Sequence, residues 1–191
     1  HRDVKPDNIF LVGTPGDDDV TVKVIDFGMA KVPRSTGSSA GFVLGTLEYM
    51  APEQIVSEDI DGRADVYGLG VVMFRMFTGH LPFDVSIKDG TDILGHQLFS
   101  PAPPPSWLDE GMDPMIERVI LSAMRKRPEN RYDTMAAMLD DLERASHLRE
   151  GGPHGKPLVN EPDVFEPRTE RGKEAERFLS SRFKIPTTTK R

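Results

Sequence analysis

Along this chain the spacing of apolar residues changes repeatedly, and each change marks an element. Near the start, NIFLV (residues 8–12) and VTVKVID (20–26) are short runs rich in β-branched residues, separated by GTPGDDD. Two β-strands joined by a connection longer than the tightest turns are expected there. Residues 29–45 mix Pro, Ser, Thr and Gly without periodicity, which is loop composition; loops of that length in compact domains are usually functional or disordered.

From Ala64 to Thr78 the run ADVYGLGVVMFRMFT is apolar nearly all round, which predicts a buried core helix capped by Gly79. Residues 114–127 set Ile116, Val119, Ile120, Ala123 and Met124 on one stripe behind Asp113-Pro114, an N-cap followed by proline at the first helical position. Residues 134–146 repeat the pattern with Met135, Met138, Leu139 and Leu142. The proline-dense PAPPPSW (101–107) reads as an extended linker. Past Glu150, GGPHGKP and NEPDVFEP break regular structure, and residues 170–184 carry only a weak stripe of Ala175, Phe178, Leu179 and Phe183. The pattern predicts a mainly α fold with one small antiparallel β-hairpin, in one domain over residues 1–146, followed by a flexible tail over 147–191.

Composition narrows the chemistry. The 191 residues include no cysteine, so neither disulfides nor thiolate zinc sites are available, which fits a reducing compartment. No run approaches the ~20 apolar residues of a membrane-spanning helix. The net charge of −7 argues against nucleic acid, whose phosphates are held by clustered Lys and Arg. The charge is uneven, with 15 basic and 25 acidic residues up to Glu150 and 9 basic and 6 acidic after it, which supports a boundary there.

Four landmarks then occur in order: HRDVKPDN at 1–8, DFG at 26–28, GTLEYMAPE at 45–53 and DVYGLG at 65–70. A lone DFG would mean little. The ordered set, with a strand pair between the first two and a loop between the second and third, resembles the C-terminal lobe of a eukaryotic-type Ser/Thr protein kinase. The resemblance covers roughly residues 1–146, and the stretch PPPSWLDEGMDPMIERVILSAMRKRPENRYDTM looks most like bacterial members. It implies a protein Ser/Thr kinase that uses ATP and Mg²⁺, with protein substrates as partners and a cytoplasmic location. Family members often continue into a membrane segment that this chain does not contain.

Phosphoryl transfer asks a protein for alignment and charge neutralisation more than for covalent help. By resemblance, Asp3 takes or orients the proton of the substrate hydroxyl, Lys5 stands against the transferring phosphate, and Asn8 and Asp26 hold magnesium through oxygen, the donor a hard cation demands. Thr46 bonds toward Asp3 and Lys5, and GTLEYMAPE forms a shelf for the residue just past the acceptor. His1 is a scaffold residue. Arg2 meets a phosphorylated residue of the loop, for which Ser35, Thr36, Ser38 and Ser39 are candidates. Phe27 and Gly28 complete the DFG turn, Glu53 is expected to pair with Arg131 of RPENRY, and Asp65 to brace the loop that carries Asp3. Lysine two places after Asp3, with the threonine of the shelf, indicates Ser/Thr acceptors.

The Gly-rich phosphate-covering loop, the strand lysine and the helix glutamate of such enzymes are not among residues 1–191, which are expected to be the C-terminal portion of a longer kinase. The isolated chain is therefore expected to bind ATP very weakly, transfer no phosphate and melt with poor cooperativity. The alternative is a catalytically inactive, kinase-derived binding module. Retention of Asp3, Lys5, Asn8 and Asp26 together favours the enzyme.

Overall fold

The computed structural model describes residues 1–14, 20–27, 47–56, 59–83, 91–147 and 173. Its regular elements are β1 (Ile9–Val12), β2 (Thr21–Val24), α1 (Pro52–Ile55), α2 (Arg63–Thr78), α3 (Thr91–Phe99), α4 (Pro114–Ala123) and α5 (Met135–His147). Single 3-10 turns occupy Pro6–Asn8, Pro105–Trp107 and Pro128–Asn130. The fold is mainly α with one antiparallel hairpin.

β1 and β2 pair with Ile9 opposite Val24 and Val12 opposite Thr21. Both strands are shorter than the residue pattern suggests. Pro6 sets a 3-10 turn that absorbs Asn8, and the backbone leaves the extended region at Asp26. One further bond, Ile25 N–H to the Asn8 carbonyl at 2.9 Å, carries the ladder toward the first turn. Leu11 and Val22, cross-strand neighbours, are exposed, as is Phe10 on the opposite face.

The core forms around α2, which packs against α4, α5 and the Pro105–Trp107 turn, while α4 packs on α5 and α1 on α3. Val66, Val71 and Phe74 of α2 meet Val119, Ile120 and Ala123 of α4 and Met138 of α5 in one buried cluster. The helix ends on Gly79, whose φ of 74° lies in the left-handed region and whose N–H bonds the Arg75 carbonyl at 2.9 Å. Its last turn departs from the all-round burial that the residue pattern implies, with Met76 and Phe77 exposed.

Gly70 lets α2 and α4 approach. A Cβ built there would lie 2.8 Å from Met124 Cγ and 2.9 Å from Ala123 Cβ. Gly70→Ala should therefore lower the unfolding free energy by about 1–2 kcal/mol, the overpacking cost exceeding the gain in helix propensity. Chemical denaturation would show this, and Ala123→Gly in the same chain should recover part of the loss.

Asp113 caps α4 as the residue pattern predicts, its Oδ1 accepting from the N–H groups of Met115 (2.7 Å) and Ile116 (3.3 Å) ahead of Pro114. The helix stops at Ala123 rather than at residue 127. Beyond it the carbonyls of Arg125 and Lys126 accept from the Arg131 guanidinium instead of continuing a helical ladder. In α5 the buried stripe is Met138, Asp141 and Ala145, whereas Met135 and Leu139 are exposed. Asp141 takes an inward position because the Tyr132 hydroxyl donates to it at 3.0 Å; burial and that carboxylate push the hydroxyl well above its ordinary value, so it stays a donor.

PAPPPSW is not extended throughout. Its last residues wind into the Pro105–Trp107 turn, where Pro105 is buried and the Ser106 N–H donates to Glu117 at 2.7 Å. Two elements carry no periodic signature. α1 is a single turn, and α3 is nine residues long with Gly95 inside, too short and too broken for spacing alone to reveal. The stretch 29–45 and the stripe Ala175, Phe178, Leu179 and Phe183 lie outside the described residues, as does nearly all of the tail.

Candidate active site

The first eight residues form a loop held from below by α2. The main-chain nitrogens of His1 and Arg2 donate to the two carboxylate oxygens of Asp65 at 2.8 and 2.6 Å. The Arg2 carbonyl accepts from the Gln54 side chain at 2.8 Å. Both sides of the Arg2 peptide are thus tied, and that holds a non-glycine residue at φ 68°, a conformation that costs about 1–3 kcal/mol when left to itself. Gly68 sets how closely the loop sits: a Cβ there would lie 3.0 Å from the Val4 carbonyl oxygen and 3.5 Å from that of Tyr49.

His1 joins the loop to the far end of the hairpin. Its Nε2 donates to the Ile25 carbonyl (2.9 Å) and its Nδ1 accepts from the Asp3 N–H (3.3 Å). A carbonyl can only accept and an amide N–H can only donate, so this pair selects the Nε2–H tautomer. The Phe27 ring lies 4.9 Å from the His1 ring, and Phe27 itself is exposed. Asp26, between Ile25 and Phe27, has φ 58° and an exposed side chain. The hairpin therefore delivers Asp26 beside the loop, directly after an Ile25 whose N–H bonds Asn8 and whose carbonyl bonds His1.

Two side chains converge on Asp3. The Asn8 amide nitrogen donates to the Asp3 carbonyl (2.8 Å) and to its carboxylate (3.1 Å), and Lys5 Nζ stands 3.0 Å from the same carboxylate oxygen. Since the NH₂ of Asn8 is committed to Asp3, its Oδ1 is left as the acceptor end of the amide. A shallow pocket beside Asp3 is lined by Arg2, Tyr49, Met50 and Gln54.

The Leu47–Glu53 segment is anchored through charged and polar contacts. Glu53 and Arg131 form a buried bidentate pair at 2.7 and 2.8 Å. The same guanidinium donates to the carbonyls of Arg63 (2.9 Å), Arg125 (2.6 Å) and Lys126 (2.9 Å), so all five of its N–H groups are used. It also lies 4.9 Å from the centre of the Tyr67 ring. The Tyr49 hydroxyl accepts from Arg75 at 2.7 Å; burial pushes that hydroxyl above its ordinary value, and the guanidinium partly offsets this.

Of the residues singled out in the sequence, the fold brings His1, Arg2, Asp3, Lys5, Asn8, Asp26 and Phe27 into one neighbourhood, with Asp65 beneath it and Glu53–Arg131 bracing the shelf. Gly28, Ser35, Thr36, Ser38, Ser39 and Thr46 lie outside the described residues. Sequence reasoning did not single out Gln54, Gly68 or Arg75. Their roles depend on contacts across 19 to 64 positions of chain, for which a single sequence carries no signal.

Comparison with known proteins matches residues 1–141 to the protein kinase domain. The chain is 45% identical over 155 residues to the serine/threonine-protein kinase Pkn1 of Myxococcus xanthus, covering 78% of this chain and 22% of that protein. It is 39% identical over 163 residues to the serine/threonine-protein kinase PknB of Mycobacterium tuberculosis, covering 83% and 24%. Against the serine/threonine-protein kinase pkn3 of Myxococcus xanthus the figures are 39% over 150 residues, 75% and 27%. The chain thus spans about a quarter of the length of the curated relatives it matches. With the described residues of the ordered landmarks brought together about α2 and a family match reaching from His1 into α5, the chain belongs to the protein kinase domain family, and the relatives it matches are bacterial Ser/Thr kinases.

Proposed function

We propose that this chain carries the catalytic loop and substrate shelf of a protein kinase that transfers the ATP γ-phosphoryl group to Ser or Thr hydroxyls of protein substrates. The observation that carries the reading is the Asp3 carboxylate held by the Asn8 amide and the Lys5 ammonium. So placed, Asp3 accepts or orients the proton of an incoming hydroxyl. Lys5, 3.0 Å away, supplies positive charge where phosphate oxygens would gather it. Thr46 is assigned to the same group.

Asn8 and Asp26 are the residues suited to Mg²⁺. The donor set fits: one amide oxygen oriented by the bonds of its own NH₂, and one exposed carboxylate. Among the described residues no cluster of three His, Cys, Asp or Glu could hold a metal by itself. That suits an ion which takes one or two protein oxygens and completes its shell with water and nucleotide phosphate. When bound, Mg²⁺ supplies charge neutralisation on the phosphates. Arg2, exposed and braced on both sides of its peptide, is the residue to meet a phosphate on Ser35, Thr36, Ser38 or Ser39.

Residues 1–146 are assigned to this catalytic unit and 147–191 to a tail outside it; the family match ending at 141 and the end of α5 at His147 support the division. A cytoplasmic location follows from the need for ATP and agrees with the absence of cysteine. Among the described residues no helix is long and apolar enough to cross a membrane.

The test is Mg²⁺-dependent transfer of labelled phosphate from γ-labelled ATP by the full-length protein to itself or to a general protein substrate, with phosphoamino-acid analysis. Phosphoserine or phosphothreonine is expected. No transfer to any acceptor, in protein that is folded, would leave the inactive binding module as the better reading.

A further inference from the structure

Behind the shelf lies a buried polar chain that none of the catalytic assignments uses. Lys126, Tyr67 and Gln97 have no exposed surface. Lys126 Nζ donates to the Tyr67 hydroxyl oxygen (3.1 Å) and to the His96 carbonyl (3.2 Å), and sits 4.4 Å from the centre of the Phe83 ring. The Tyr67 hydroxyl donates to Gln97 Oε1. Gln97 Nε2 donates to the Glu48 carbonyl (2.6 Å) and to the Leu47 carbonyl (3.4 Å).

The chain has a direction. An ammonium can only donate, so the Tyr67 oxygen receives from Lys126 and its proton points at Gln97. The Gln97 amide must then present oxygen to Tyr67 and NH₂ to the shelf. An apolar trio of the same volume would serve the core as well, because burying polar groups yields no net stability beyond satisfying them. What the polar trio adds is a pair of donors aimed at the Glu48 carbonyl and at the Leu47 carbonyl, the latter also accepting from the Met50 N–H at 3.3 Å where the chain turns.

We propose that Gln97, oriented by Tyr67 and Lys126, is a positioning residue that sets the height and register of Leu47–Tyr49, and through them the affinity for the substrate residue that follows the acceptor. The opposite end of the same segment is held through its side chain by Arg75 at the Tyr49 hydroxyl, whereas Gln97 grips its main chain. This rests on the kinase reading for its functional consequence, but the positioning itself can be read without catalysis.

The experiment uses the full-length protein with Gln97→Met, which keeps volume and removes both donors, and Tyr67→Phe, which deletes one oxygen. Hydrogen exchange is followed at the Met50 amide, which bonds the Leu47 carbonyl at 3.3 Å, and at the Met124 amide of the core, which bonds Ile120 at 3.0 Å. Loss of the anchor should speed Met50 exchange about tenfold in Gln97→Met and in the same direction in Tyr67→Phe, with Met124 changed less than about twofold. In peptide phosphorylation the peptide KM should rise about tenfold, while kcat and the KM for ATP stay within about twofold. Unchanged Met50 exchange in both variants, or equal acceleration at Met50 and Met124, would overturn the proposal. A parent protein that phosphorylates no peptide defeats the kinase reading instead, and the exchange data still decide the positioning.

Discussion

Asp3→Asn in the full-length protein is expected to lower kcat for peptide phosphorylation by about 10²–10⁴-fold, with ATP affinity little changed. The substitution is close to isosteric, and an asparagine oxygen can still accept from the Asn8 amide 3.1 Å away, so the loop should keep its shape. Two things go. The group can no longer take a proton from a hydroxyl, and Lys5 loses the carboxylate charge that stands 3.0 Å from its ammonium. Rapid-quench measurement of phosphopeptide formation would separate this loss of chemistry from a loss of binding. Retention of a tenth or more of the parent kcat would remove Asp3 from the assigned role, and the kinase reading would have to rest on another acceptor.

The second large effect is on stability. Arg131→Met should cost about 3–5 kcal/mol, because it leaves the Glu53 carboxylate buried without its partner. It also strips donors from the carbonyls of Arg63, Arg125 and Lys126. This distinguishes the site from an ordinary buried ion pair. Replacing both partners, with Glu53→Leu beside Arg131→Met, removes the orphaned charge but not the orphaned carbonyls. The double variant should therefore recover only part of the loss, where a simple pair would recover nearly all of it. Urea unfolding of the single and double variants gives the comparison, and full recovery would show that the three carbonyls find water at no cost.

Legibility varied with the range of the interaction. The core helix was plain in ADVYGLGVVMFRMFT, and the cap Asp113-Pro114 was plain in its own residues, because both are decided within a few positions. The buried face of α5 departs from its apolar spacing, since Asp141 counts as polar until Tyr132 is placed against it. The proline run was read as extended throughout, though its end turns once the Ser106 N–H finds Glu117. α3 has no legible pattern for the same reason that its Gln97 matters. Its signal is a handful of apolar residues around a glycine, and its polar member is buried only because the Leu47 and Glu48 carbonyls and Tyr67 surround it.

By itself, the order HRDVKPDN, DFG, GTLEYMAPE and DVYGLG determined the family and the candidate residues of the site, because phosphoryl transfer needs those side-chain types and their spacing is written directly in the chain. Tertiary structure decided how they are held: that Asp65 ties down His1 and Arg2, that Gly68 sets the depth of the loop, that Asn8 spends its NH₂ on Asp3, and that one guanidinium serves four partners. Such contacts join positions dozens of residues apart, and their geometry arises only when burial forces every polar group to find a partner.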